Sequence, residues 1–167
     1  WGNLVHRVLT LTGRHFESKV PLPPSHLAPE SEALLERVGA AFDEVGTHIE
    51  SINLRAALQS IMGVAQEANR YLDERAPWQA VKEDRDSAAE TLSTAIQVIS
   101  GVATLLQPFL PFTSPQAWAL IGQKTDIETV GWKHTSIQPG TKLPKPEPLF
   151  LKLDPELVSE EESRLGQ

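Results

Sequence analysis

The chain has 167 residues, 40% of them hydrophobic and 22% charged, with no cysteine. That is length enough for one domain with a core of its own, and it excludes a disulfide scaffold, a thiolate zinc site and a cysteine nucleophile. Lys and Arg number 15 against 22 Asp and Glu, a formal net charge of −7, which argues against non-specific coating of DNA but leaves room for a small local nucleic-acid pocket.

The charge is uneven along the chain. Residues 1–20 carry Arg7, Arg14 and Lys19 against Glu17, whereas residues 21–51 set Arg37 alone against six acids and residues 153–167 set Arg164 alone against five. No run of about 18 or more apolar residues occurs, so no membrane span is expected. The chain opens Trp1-Gly2-Asn3-Leu4, without Met or a basic-then-apolar leader. No signal peptide is expected, and the sequence reads as a piece of a longer one.

The first predicted element is an amphipathic helix with Leu4, Val5, Val8, Leu11 and Phe16 on its apolar side. Pro21, Pro23, Pro24 and Pro29 then make residues 20–29 a stiff extended connection. Ser31 and Glu32 stand near the expected start of a second helix, suited to capping and to the helix dipole. Its apolar stripe is Leu34, Val38, Phe42, Val45, Ile49 and Ile52. A third helix follows with Leu54, Leu58, Ile61, Ala65, Ala68 and Leu72, and Pro77 breaks the chain before a fourth with Ala88, Leu92, Ala95, Ile99, Val102 and Leu106. Pro108 and Pro111 end that helix, and a short fifth is predicted from about Ser114 with Pro115 in its first turn. Residues 133–148 hold Pro139, Pro144, Pro146, Pro148 and Gly140 with few apolar residues, so they read as an extended segment. The acidic stretch from Asp154 to Arg164 is suited to a short helix. No period-2 run of strand length appears, so the fold is expected to be all-α, a bundle of four to five helices.

Catalytic signals are scarce. There is no glycine-rich phosphate loop, no nucleophile-elbow serine, and His6, His15, His26, His48 and His134 are never paired at metal-ligand spacing. No catalytic residue and no metal site is therefore assigned. The first helix offers a different pattern: Asn3, Arg7, Thr10 and Arg14 line one polar face. Such a face is either a solvated stripe or a recognition surface, since an amide and a guanidinium supply the donors and acceptors that read base edges and phosphates. The run Asp73-Glu74-Arg75-Ala76-Pro77-Trp78 puts a tryptophan at a break between helices. There the ring either plugs the bundle end or stacks on an unpaired base of single-stranded RNA. Trp118 is expected in the core, and Trp132 is expected to cover the bundle from a loop.

Four patches carry a resemblance. Asn3-Leu4-Val5-His6-Arg7-Val8-Leu9 with Phe16 and Val20-Pro21, and Ala68-Asn69-Arg70-Tyr71-Leu72-Asp73-Glu74-Arg75-Ala76-Pro77-Trp78, resemble the anticodon-binding domain of methionyl-tRNA synthetases, class I aminoacyl-tRNA synthetases. Leu106-Gln107-Pro108-Phe109-Leu110-Pro111-Phe112-Thr113 is similar to a motif shared with the related enzymes for Leu, Ile, Val and Cys. Lys145-Pro146-Glu147-Pro148-Leu149-Phe150-Leu151-Lys152-Leu153 resembles the linking peptide by which the methionyl family returns toward its catalytic domain.

The resemblance implies a bundle over residues 1–132, with residues 133–167 as linking peptide and acidic tail packing back toward the bundle and toward a catalytic domain outside this sequence. It implies that Asn3, Arg7 and Trp78 bind the CAU anticodon of methionine tRNA, with Trp78 stacking on its first base, and that Asp73 helps reject wrong anticodons. Arg14, Arg70 and Lys82 are candidates for holding the RNA backbone. ATP with Mg²⁺ would belong to the catalytic part, whose signatures are absent from this sequence, so this piece carries no cofactor and would not aminoacylate alone. The implied partners are tRNA and the catalytic domain, with no membrane, and the implied compartment is the cytoplasm. Two other readings stand beside it: the bundle of a leucyl-, isoleucyl-, valyl- or cysteinyl-tRNA synthetase, and a helical protein-interaction module that binds no RNA.

Overall fold

The computed structural model describes residues 1–150 and 161–164. The described residues form helices α1 (Gly2–His15), α2 (Pro29–Glu50), α3 (Leu54–Arg75), α4 (Pro77–Glu83), α5 (Arg85–Leu106) and α6 (Thr113–Leu120), with a single 3-10 turn at Ile127–Thr129. Among them the only isolated bridge of extended chain joins Lys19 to Lys142, antiparallel. The fold is all-α, as the periodicities predict. The helix added to the expected five is α4, which starts at the very proline expected only to interrupt the chain. Proline fits the first turn of a helix, where its missing N–H would have no partner in any case.

Helix α5 is the axis of the bundle and packs against α1, α2, α3, α4 and α6. Every residue from Ala88 to Leu106 is buried except Gln97. The spacing of Ala88, Leu92, Ala95, Ile99, Val102 and Leu106 marks one face of it, but the other faces are closed by small hydroxyl residues. Thr91 and Thr104 return their hydroxyls to the carbonyls of Ser87 and Ser100, at 2.8 and 3.1 Å, which satisfies the polar atom within the helix and lets a neighbour pack over it. By length and hydropathy α5 could cross a membrane, yet 94% of the apolar window is buried inside the bundle. Towards its C-terminal end, Gly101 lets α2 approach: a methyl there would fall 2.5 Å from a Val38 methyl and 3.3 Å from the His134 ring.

Helices α2 and α3 form a hairpin through a tight turn at Ser51–Asn53, where the Asn53 N–H donates to the His48 carbonyl at 2.8 Å. This turn corrects the predicted stripes. Ile52 adopts φ +57° and is 83% exposed, and Leu54 and Leu58 are 51% and 39% exposed. The chain reverses there, so the ends of both stripes run past the body they would pack on. Ser31 is not the expected cap either: α2 begins at Pro29 with Ala28 as its N-cap and no capping side chain of its own. The Glu90 carboxylate, reaching from α5, accepts the Ala28 N–H at 2.7 Å, and Ser31 is buried against it.

Past α6 the chain runs without a long helix to Phe150. Gln97 fixes it by accepting from the Ile137 N–H and donating to the Ile137 carbonyl, both at 2.8 Å. Val20 donates to Thr141 at 2.9 Å, Gly140 to Val20 and Leu143 to Ser18 at 2.8 Å each, and Ile137, Leu143 and Leu149 are buried on the bundle. Trp118 is buried as expected, its indole N–H donating to the Thr125 carbonyl at 2.9 Å. Trp132 lies over α2, edge-on to Phe42, with its N–H on the Phe42 carbonyl. The short helix expected over Asp154–Arg164 falls largely outside the described residues.

Candidate nucleic-acid interface

Arg7, Asp73 and Trp78 come from three helices and meet at one corner of the bundle. Helix α1 buries Leu4, Val5, Val8 and Leu9, and the 3.6-residue repeat then turns Asn3 and Arg7 to the opposite side. Arg7 Nη2 donates to Asp73 Oδ1 at 2.7 Å. Its guanidinium carbon lies 5.5 Å from the centroid of the Trp78 ring, within cation–π range. The side chains of Arg7 and Asp73 are 30% and 61% exposed, and a pair that open to water contributes about 1 kcal/mol or less. Arg7 can therefore exchange Asp73 for a competing acceptor at small cost.

Trp78 stands in the first turn of α4, half-buried, behind a buried Pro77. Ala76 serves both as the last cap of α3 and as the first of α4, in the left-handed region at φ +40°. That single residue redirects the chain between two helices and leaves the ring at the joint partly exposed to solvent. Asn3 is exposed one turn before Arg7 and borders a groove of about 310 Å³ with His6, Leu149 and Phe150.

The remaining predicted cations are not drawn into this corner alike. Lys82 is exposed one helical turn beyond Trp78 on α4. Arg14 is exposed in the last turn of α1, where positive charge suits the helix dipole. Arg70 is 3.8 Å from Glu74 and borders a groove with Glu30 and Glu67, acidic surroundings for a phosphate contact. Beyond α1, Lys19 holds the Glu17 carboxyl below its ordinary value through an ion pair, with Arg85 adding to the effect.

Three further residues around α5 escape a reading by spacing. Arg85 donates to the His15 carbonyl at 2.9 Å and covers the Phe16 ring at 4.7 Å, tying the end of α1 to the start of α5. Arg75 and Glu90 pair across α3 and α5 at 3.2 Å. The one signal for Glu90 is a carboxylate in the second turn of an apolar helix, a residue type rarely buried unless paired.

A family model described as the anticodon binding domain of methionyl tRNA ligase matches residues 21–167. The chain belongs to that family. A methionine–tRNA ligase of Thermomicrobium roseum is 37% identical over 99% of this chain and 32% of its own length. One from Dehalococcoides mccartyi is 40% identical over 99% of this chain and 30% of its own. The fold is shared with Mycobacterium tuberculosis methionyl-tRNA synthetase in complex with methionyl-adenylate, at a TM-score of 0.83 and 28% identity over 90% of this chain and 30% of that one. The chain thus spans about a third of the length of these methionyl tRNA ligases, and the family model places it in their anticodon-binding part rather than in the bundles of the Leu, Ile, Val or Cys enzymes.

Proposed function

We propose that this chain reads the CAU anticodon of methionine tRNA as part of a methionine–tRNA ligase that joins methionine to its tRNA using ATP. Trp78 offers its solvent face to the first anticodon base, Arg7 and Asn3 meet the edge of that base or a neighbouring phosphate, and Asp73 disfavours RNA that cannot replace its hold on Arg7. A negative charge close to RNA penalises every sequence, and only the contacts of the right one offset it. Lys82 and Arg14 are proposed to attract the hairpin backbone. The segment from 133 onward is proposed to lead to the catalytic domain, where ATP and Mg²⁺ would act, and the cytoplasm is the proposed compartment. Among the described residues no cluster of three His, Cys, Asp or Glu is set to hold a metal ion, and no ATP chemistry is assigned to this chain.

The observation that carries this reading is the Arg7 guanidinium held between Asp73 and the Trp78 ring. It is tested by titrating an anticodon hairpin bearing CAU, and one with its first base changed, into the protein at low and moderate salt while following tryptophan emission. Preference for CAU with a change in Trp78 emission is expected. Equal affinity for both hairpins would remove anticodon reading from the proposal, and no binding at low salt would favour a protein-interaction module instead.

A further inference from the structure

Trp78 stands two residues beyond a joint of unusual backbone conformation. Ala76 is left-handed at φ +40°, a conformation that persists in a residue with a Cβ only when its surroundings over-determine it. No side chain caps α4, whose N-cap is this same Ala76. The over-determination comes from the residue before it. Arg75 spreads its guanidinium over α5, with Nη2 donating to Ser87 Oγ at 3.1 Å and to Glu90 Oε2 at 3.2 Å, while Nε points to Thr91 Oγ1 at 3.4 Å.

Glu90 is only 5% exposed, so its charge needs partners on both oxygens. Oε2 takes Arg75, and Oε1 takes the Ala28 N–H and the Ser31 hydroxyl, which is in turn 2.8 Å from the Tyr71 hydroxyl. The last turn of α3 is thus fastened on one side to α5 and to the start of α2 through Arg75. Asp73 fastens it on the other side to α1 through Arg7. Trp78 is the third residue beyond the first fastening and stacks against the second.

We propose that Arg75 is a positioning residue of the anticodon site: through its fork on Ser87, Glu90 and Thr91 it sets the angle at which Trp78 faces the RNA, without touching RNA itself. This rests on the proposed reading of CAU by Trp78. A planar fork with several fixed donors does this and an ammonium does not, because a lysine could keep the charge pair with Glu90 while leaving Ser87 and Thr91 unbonded.

The test uses the protein grown with fluorinated tryptophan, whose four fluorine resonances are assigned by substitution, in wild type, Arg75→Lys and Ser87→Ala. In the free protein, Arg75→Lys is expected to shift or broaden the Trp78 resonance while those of Trp1, Trp118 and Trp132 stay in place. It is also expected to weaken CAU-hairpin binding about tenfold, with Ser87→Ala giving a smaller change of the same kind. An unmoved Trp78 resonance in Arg75→Lys would overturn the proposal, as would equal movement of all four resonances, the mark of a general loosening. A moved resonance with unchanged hairpin affinity would overturn the role in recognition. If wild type fails to prefer CAU, the function proposed above falls, and the resonances of the free protein still decide whether Arg75 sets Trp78.

Discussion

Trp78 keeps part of a large aromatic ring in water, although burying a large apolar side chain is worth about 1.5–3 kcal/mol. The ring belongs neither to the buried core nor to the half-buried side chains packed against it, such as Trp1, Leu11 and Phe16. Its removal should therefore cost binding rather than folding. Trp78→Ala is expected to weaken the CAU hairpin by about 1–3 kcal/mol, the usual worth of one base stack, with the helical circular dichroism unchanged. A collapse of that signal would make the tryptophan structural. The candidates Asn3, Arg7, Asp73 and Trp78 could be named from the sequence, because helical spacing and the resemblance to a family motif need no knowledge of tertiary contacts. The structure brings Arg7, Asp73 and Trp78 together. Arg75 and Glu90 could not be so named, since their pairing joins two helices and leaves no periodic trace.

At the scale of elements, the apolar stripes located every long helix, and their failures are at helix ends. Ile52, Leu54 and Leu58 satisfy the spacing but sit where the α2–α3 hairpin turns beyond the body of the bundle. Periodicity also under-read α5, because Ser93, Thr94, Ser100 and Thr104 look polar and yet hide their hydroxyls. Gly101 lies in that helix. Replacing a mid-helix glycine by alanine ordinarily gains about 1 kcal/mol, but the methyl would meet Val38 at 2.5 Å. Overpacking of this kind costs about 1–3 kcal/mol, so Gly101→Ala is expected to lower the urea midpoint. A raised midpoint would mean that α2 yields easily and that the close approach is not a constraint.

Across the whole molecule the charge is negative, and the cations of the proposed interface act locally. At the α2–α3 hairpin, Arg37 pairs with Glu44 at 3.1 Å and lies 3.6 Å from Glu67, so even there acids are matched to a neighbour rather than left to repel. RNA affinity should then behave in two parts. Contacts to phosphates weaken as salt rises, by about 0.7 in the logarithmic slope for each phosphate of a single strand. The base contacts proposed for Trp78, Arg7 and Asn3 would carry the preference and be far less sensitive. Hairpin titrations between low and moderate salt should therefore show both affinities falling together while their ratio holds. A ratio that collapses with salt would assign the discrimination to charge alone.

A methyl placed on Gly2 would come within 2.8 Å of the Phe150 ring, so the returning chain is wedged against the first residue of α1. A helix is a stiff rod, and Arg7 lies about 7.5 Å along this one from Gly2, at roughly 1.5 Å per residue. A push at Phe150 would act on that rod as on the short arm of a lever. The far end of the arm is the guanidinium resting on Trp78. The corner proposed to grip RNA and the contact with Phe150 thus share one stiff helix, so a displacement at one end would be carried to the other.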